Sequence, residues 1–205
     1  MQVLQARTIT LDDLSQEFGL EDVQDADFFP EWQGNLPELT DIERQFLDKI
    51  KAGYLAMVKR RPFLEKPVQL TVISPLLFLL DFYLPPFHIQ TENSVELVEK
   101  SEGITIRGSL DILFLKEGLW LLVIESKQVQ FSLESGLAQL LSYMLANLQK
   151  DRPVFGLLTN GEGFIFVKMA QDGTSKYANS RYFLMRNPGN ELYEVLRILK
   201  WLGQL

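Results

Sequence analysis

The chain has no cysteine and a single histidine, His88, among its 205 residues. The first absence excludes a disulfide framework, thiolate metal ligation and cysteine nucleophiles, and the second excludes an imidazole cage for a metal. Any metal must be held by oxygen. No Gly-rich loop ending in Lys-Ser or Lys-Thr is present, so an ATP-driven step would have to come from another polypeptide. Met1 to Leu20 lacks the basic start and apolar centre of a secretion signal. The longest apolar stretch, Val68 to Pro86, is interrupted by Ser74, Pro75 and Asp81. These features lead us to expect a cytoplasmic protein with no membrane partner. Positive charge is scarce at the N-terminus, where residues 1–36 carry eight acids against Arg7 alone. The rest of the chain holds nineteen acids and nineteen bases, so the net charge of −7 belongs to that segment and does not bar nucleic acid from the remainder. We therefore divide the chain into an acidic arm, 1–36, docking on a body, 37–205. The arm's aromatic cluster Phe28, Phe29, Trp32 supplies the docking face. Most of its acids read as a solvated surface, with an electrostatic shield over a basic face as the alternative.

The informative stretch is Gly108 to Tyr143. Ile104–Leu115 and Leu119–Ile124 are short and rich in Ile, Leu, Val, Phe and Trp, and Lys116-Glu117-Gly118 between them predicts a hairpin. Each run contains charge where a buried strand should have none. A register with Asp111 opposite Val123 would put Asp111, Glu125 and Lys127 on one face, the two carboxylates diagonal at about 7–8 Å between Cβ atoms. Two carboxylates and an amine suit Mg²⁺-assisted phosphodiester hydrolysis. A structural ion-pair cluster at a strand end is the alternative.

Gly108-Ser109-Leu110-Asp111, followed by Glu125-Ser126-Lys127 at the end of an apolar strand, resembles the PD-(D/E)XK nuclease superfamily, with Leu110 in place of the usual proline. Gln139-Leu-Leu-Ser-Tyr143 resembles the Gln-x-x-x-Tyr helix of its RecB-like branch and of the N-terminal nuclease domain of type I restriction R subunits. Thr159-Asn160-Gly161 is similar to the latter group, although Asn-Gly is also the favoured pair of a tight turn. The resemblance implies a restriction-endonuclease-like α/β fold, a central mixed β-sheet flanked by helices on both faces. It implies a Mg²⁺-dependent DNA endonuclease, with Mn²⁺ able to substitute. Asp111, Glu125, the Ser126 carbonyl and Glu43 would be metal ligands; Lys127 would orient the water; Gln139 and Tyr143 would complete the catalytic set. It further implies DNA as a partner, together with a separate motor or specificity subunit, and it admits a homodimer. A non-catalytic module that binds nucleic acid or a partner protein on the same fold is the alternative.

Elsewhere, Thr10 with Asp13 and Thr40 with Glu43 predict capped helices, which gives Glu43 a second explanation as a cap. Lys49, Lys51, Lys59, Arg60, Arg61 and Lys66 form the most basic region, a phosphate-contacting face or simply solvated helix. Val68–Tyr83 predicts a buried helix kinked at Pro75, and Phe87–Glu99 a strand in which His88 is incidental. A stripe from Leu133 to Leu148 predicts a covering helix with Gln139 and Tyr143 on its outer flank. Pro153–Thr159, Gly163–Met169 and Arg181–Met185 read as strands around a polar loop at 171–175. Asn190 caps a terminal helix.

Overall fold

The hairpin expected from sequence is the spine of the structure. The computed structural model describes residues 2–59, 65–99, 104–117, 119–126, 133–146 and 152–205. In chain order the elements are β1 (Gln2–Gln5), a 3₁₀ turn (Ala6–Thr8), α1 (Leu11–Phe18), β2 (Leu20–Asp22), a 3₁₀ turn (Pro30–Trp32) and α2 (Asp41–Val58). Next come α3 (Glu65–Val68), a π turn (Gln69–Ile73), α4 (Ser74–Leu79), β3 (Phe87–Glu99), β4 (Ile104–Lys116) and β5 (Leu119–Ser126). The remainder is α5 (Glu134–Ala146), β6 (Val154–Thr159), β7 (Gly163–Asp172), β8 (Thr174–Asn179), β9 (Phe183–Leu184) and α6 (Leu192–Gln204). The strands form one nine-stranded mixed sheet, ordered β1-β4-β5-β6-β7-β8-β2, with β3 on β4 and β9 on β7. The β1/β4, β5/β6 and β2/β8 pairs are parallel and the others antiparallel.

Period-two alternation sends side chains to two separate cores. Phe114, Leu122, Ile124, Phe155, Leu157, Phe164 and Phe166 pack with α2, the π turn, α4 and α6. Leu113, Val123, Val154, Leu158, Ile165 and Val167 pack with α1 and α5. The molecule is thus α/β, a large mixed sheet with helices on both faces, as strands apolar on both sides require.

Local chemistry accounts for the helix limits. Thr10 with Asp13 and Thr40 with Glu43 each form a reciprocal capping box, and Gly19 ends α1 in the left-handed region. The predicted kink is a change of helix type. Pro75 has no N–H to return to the previous turn, and the π turn that precedes it absorbs the missing bond. β8 falls partly on the stretch read as a polar loop. It is a polar strand whose place is fixed by its neighbour β7, with Gly173 at φ 73° in the turn between them.

Residues 2–36, read from sequence as a docking arm, belong to the sheet itself. β1 pairs with β4 at one end and β2 with β8 at the other, while Ala6, Ile9, Leu14 and Leu20 complete the core around α5. Phe29 stacks near Phe155 and Trp32 meets Phe183 edge-on. Removing this segment would strip two strands and the outer cover of α5, so its deletion reports on folding and not on electrostatic shielding.

Candidate functional site

The hairpin register differs from the expected one by two residues. Near the turn Lys116 pairs with Leu119 and Leu115 with Trp120, but Phe114 pairs with Leu122, Leu113 with Val123 and Ile112 with Ile124. Leu121 is the extra residue of a β-bulge. Had the turn register continued without it, Asp111 would face Ile124 and Glu125 would point to the other side of the sheet. Continuing the observed ladder by one residue sets Asp111 level with Glu125 instead of diagonal to it. The alternation of β4 is also interrupted here, because Leu110 packs on the α5 side and Ile112 on the opposite side. Asp111 sits at that twist, half-buried.

A second feature distinguishes this point of the sheet. β3 runs along one edge of β4 from Ile104 to Lys116. The other edge is shared: β1 occupies Ile104–Arg107 and β5 occupies Ile112–Lys116. Gly108 to Asp111 fall in the interval between the two. Into it α5 sends Tyr143, whose hydroxyl donates to the Ser109 carbonyl at 3.0 Å.

The same hydroxyl accepts from Gln139 Nε2 at 2.8 Å, and that amide nitrogen also donates to Glu125 Oε1 at 2.8 Å. A chain of hydrogen bonds thus runs from β4 through α5 to the carboxylate at the end of β5. Glu125, Gln139 and Tyr143 are 2%, 4% and 1% exposed. This corrects the expectation that Gln139 and Tyr143 lie on an outer flank. The apolar stripe of α5 is only part of its buried surface, since the sheet covers one side and α1 with the Ala6–Thr8 turn the other. Buried this deeply, Gln139 faces Glu125 and Tyr143 faces the Ser109 carbonyl, and neither side chain is turned to solvent.

Gly108 makes the arrangement possible, in a role that its place in the motif does not reveal. A Cβ there would lie 2.7 Å from Tyr143 Cε1, from its hydroxyl oxygen and from Ala6 Cβ. Only a hydrogen fits between ring and strand.

Tyr143 also records the electrostatics. Its phenol is pushed from 10.0 up to about 12, first by burial and next by the Glu125 carboxylate, with Asp111 adding in the same sense and the Gln139 hydrogen bond and Arg7 opposing. Both carboxylates thus act in the same sense on one hydroxyl. The folded phenol holds its proton more tightly than the unfolded one. Its contribution to stability is full below pH 10 and is lost as pH rises toward 12, on the order of 2–3 kcal/mol. Tyr143→Phe should remove that share of the alkaline loss in urea melts at pH 9 and 11.5. Tyr54, also raised by burial, supplies a similar slope in both proteins. Equal losses in wild type and variant would refute the assignment.

The other expected site residues are placed as follows. Ser126 continues β5, paired with Thr159 of β6, so its backbone directly follows Glu125. Lys127 lies outside the described residues. Glu43 is not brought to the site. Its Oε2 accepts from the Thr40 N–H at 2.6 Å and its Oε1 from Lys200 at 2.7 Å, on the face of the sheet that α2 covers. The cap and an ion pair account for it, and we withdraw it from the metal ligands. Asn160 and Gly161 serve the β6–β7 turn. Asn160 Oδ1 accepts from the Glu162 and Gly163 N–H groups, and Gly161 has φ 81°. In the basic region, Lys51 donates to the carbonyls of Asn187 and Gly189, a structural role, and residues 60–64 lie outside the described ones.

Among the described residues no three His, Cys, Asp or Glu side chains gather into a metal cage, and no helix is long and apolar enough to cross a membrane. Two carboxylates remain at the interval in the sheet. That set fits Mg²⁺, which takes one or two carboxylates and completes its octahedron with water and substrate oxygens. Neither protein-family models nor curated proteins match the chain.

Proposed function

We propose that this protein is a Mg²⁺-dependent nuclease that hydrolyses phosphodiester bonds of DNA on a restriction-endonuclease-like fold. The observation that carries the reading is the buried Glu125 carboxylate, held by Gln139, which Tyr143 braces in turn, on the strand next to the one that carries Asp111. A carboxylate is costly to bury, and a fold that also spends a glutamine and a tyrosine on aiming one has given it work.

In this reading Asp111, Glu125 and the Ser126 carbonyl hold Mg²⁺ or Mn²⁺, which would polarise the phosphate and acidify a bound water. Lys127, two residues beyond Glu125, orients that water. Water adds at phosphorus, one P–O ester bond breaks, and the departing oxygen takes up a proton. Gln139 and Tyr143 hold Glu125 in place throughout and exchange no proton. The phenol's raised pKa keeps it a donor to Ser109 across the working range.

The test pairs binding with turnover. Wild-type protein should cut supercoiled plasmid or single-stranded DNA with Mg²⁺ or Mn²⁺ and stop with chelator, and Lys127→Ala should not cut. Calorimetry should detect Mg²⁺ binding that Asp111→Ala loses. Cutting that survives Lys127→Ala would end the assignment. Metal binding without cutting would leave the fold as a non-catalytic nucleic-acid module.

A further inference from the structure

Next to the candidate site lies an open cleft of about 700 Å³, lined by Gln5, Arg7, Ser94, Glu96, Arg107 and Ser109 among others. Its floor is the stretch of β4 that leads into the interval, for Gly108 and Ser109 line it too. Arg107 precedes Asp111 by four residues, about 13 Å along a strand. The cleft and Asp111 thus lie end to end on β4, with Glu125 on the neighbouring β5.

Its cations are placed by the fold. Arg7 is the only base in the first 36 residues. The 3₁₀ turn that carries it is closed by Thr8 Oγ1 donating to the Gln5 carbonyl at 3.1 Å and is seated by buried Ala6. Its guanidinium is exposed and forms no ion pair among the described residues. Arg107 pairs across the strands with Glu96 at 3.2 Å, the two side chains 55% and 48% exposed. Such a pair contributes little to stability, and a phosphate, which takes a guanidinium bidentately, can displace the carboxylate. Gln5, Ser94 and Ser109 add neutral hydrogen-bonding groups to the wall.

We propose that this cleft is the seat of a nucleic-acid strand's sugar–phosphate backbone, with Arg7 and Arg107 as its phosphate contacts and Glu96 as a built-in competitor that weakens binding. The inference rests on the nuclease reading but is tested apart from cleavage. Anisotropy of a labelled single-stranded oligonucleotide and of its duplex would be measured in chelator, over a salt series, with the full chain. Arg7→Gln and Arg107→Gln should each weaken binding roughly five- to tenfold and each flatten the slope of log K against log salt by about 0.7 on single strands. Glu96→Gln should tighten binding, which misfolding cannot mimic.

Unchanged affinity and slope in both arginine variants would overturn the proposal even if wild-type protein cuts DNA. Arginine-dependent binding without metal-dependent cutting would keep the cleft and remove the nuclease. Preference for a phosphorylated peptide over the oligonucleotide, sensitive to the same arginines, would overturn the choice of ligand.

Discussion

Glu125→Gln is expected to abolish metal-dependent cutting while leaving the metal-free protein as stable as before. The amide oxygen can still accept from Gln139 Nε2, so the 2.8 Å contact and the buried position survive. What disappears is a negative charge held at 2% exposure. If that charge serves a metal, turnover should fall about 10³-fold, the several kcal/mol that Lewis-acid stabilisation supplies. The Mg²⁺-induced rise in melting temperature should vanish with it, because a ligand stabilises only what it binds. Metal-free stability should stay within about 1 kcal/mol of wild type. A structural ion-pair cluster predicts the reverse: removing one partner strands the other charge and costs about 3–5 kcal/mol with no metal dependence. Thermal melts of both proteins, with and without Mg²⁺, separate the cases before any DNA is added.

Gly108→Val should give the second largest effect, and it acts on a residue with no functional group. The added branch enters space already taken by the Tyr143 ring and Ala6, each 2.7 Å from the first carbon alone. Strands tolerate valine well, so the cost is steric and not conformational. Overpacking of this kind destabilises by about 1–3 kcal/mol. If Tyr143 swings out, the Ser109–Tyr143–Gln139–Glu125 chain opens and cutting should drop a further 10- to 100-fold, the usual penalty for loosening a group that aims a metal ligand. Gly108→Ala in a Tyr143→Leu background should cost at least about 1 kcal/mol less than in wild type, a coupling that urea denaturation resolves. Additive losses would show that Tyr143 is not what the glycine accommodates.

Much of this architecture was legible from local pattern. The hairpin, the two capping boxes, β3 and the terminal helix follow from alternation, helical spacing and cap residues within a few positions of one another. The association of Glu125, Gln139 and Tyr143 was legible as order and spacing. Its geometry was not, because a single extra residue, Leu121, decides which face Glu125 takes, and no composition marks a bulge. Helical spacing alone puts Gln139 and Tyr143 on an outer flank, because the cover of α5 comes from residues 6–20, more than a hundred positions away. β8 escaped for a related reason: Thr174–Asn179 is polar, and only its partners β7 and β2 make it a strand. Glu43 shows the converse hazard, a residue of the right chemistry already engaged by its own helix.

The pairing of Gln2–Gln5 with Ile104–Arg107 also constrains how the protein is made. Made ahead of β4, β1 has no partner until some hundred further residues have followed it, roughly 5–20 s at ordinary elongation rates. Until then Ala6, Ile9 and Leu14 have no α5 to cover, and the nascent segment must stay unassembled without sticking to itself or its neighbours. Its excess of negative charge suits that wait, since like charges keep a growing polypeptide extended and dissolved.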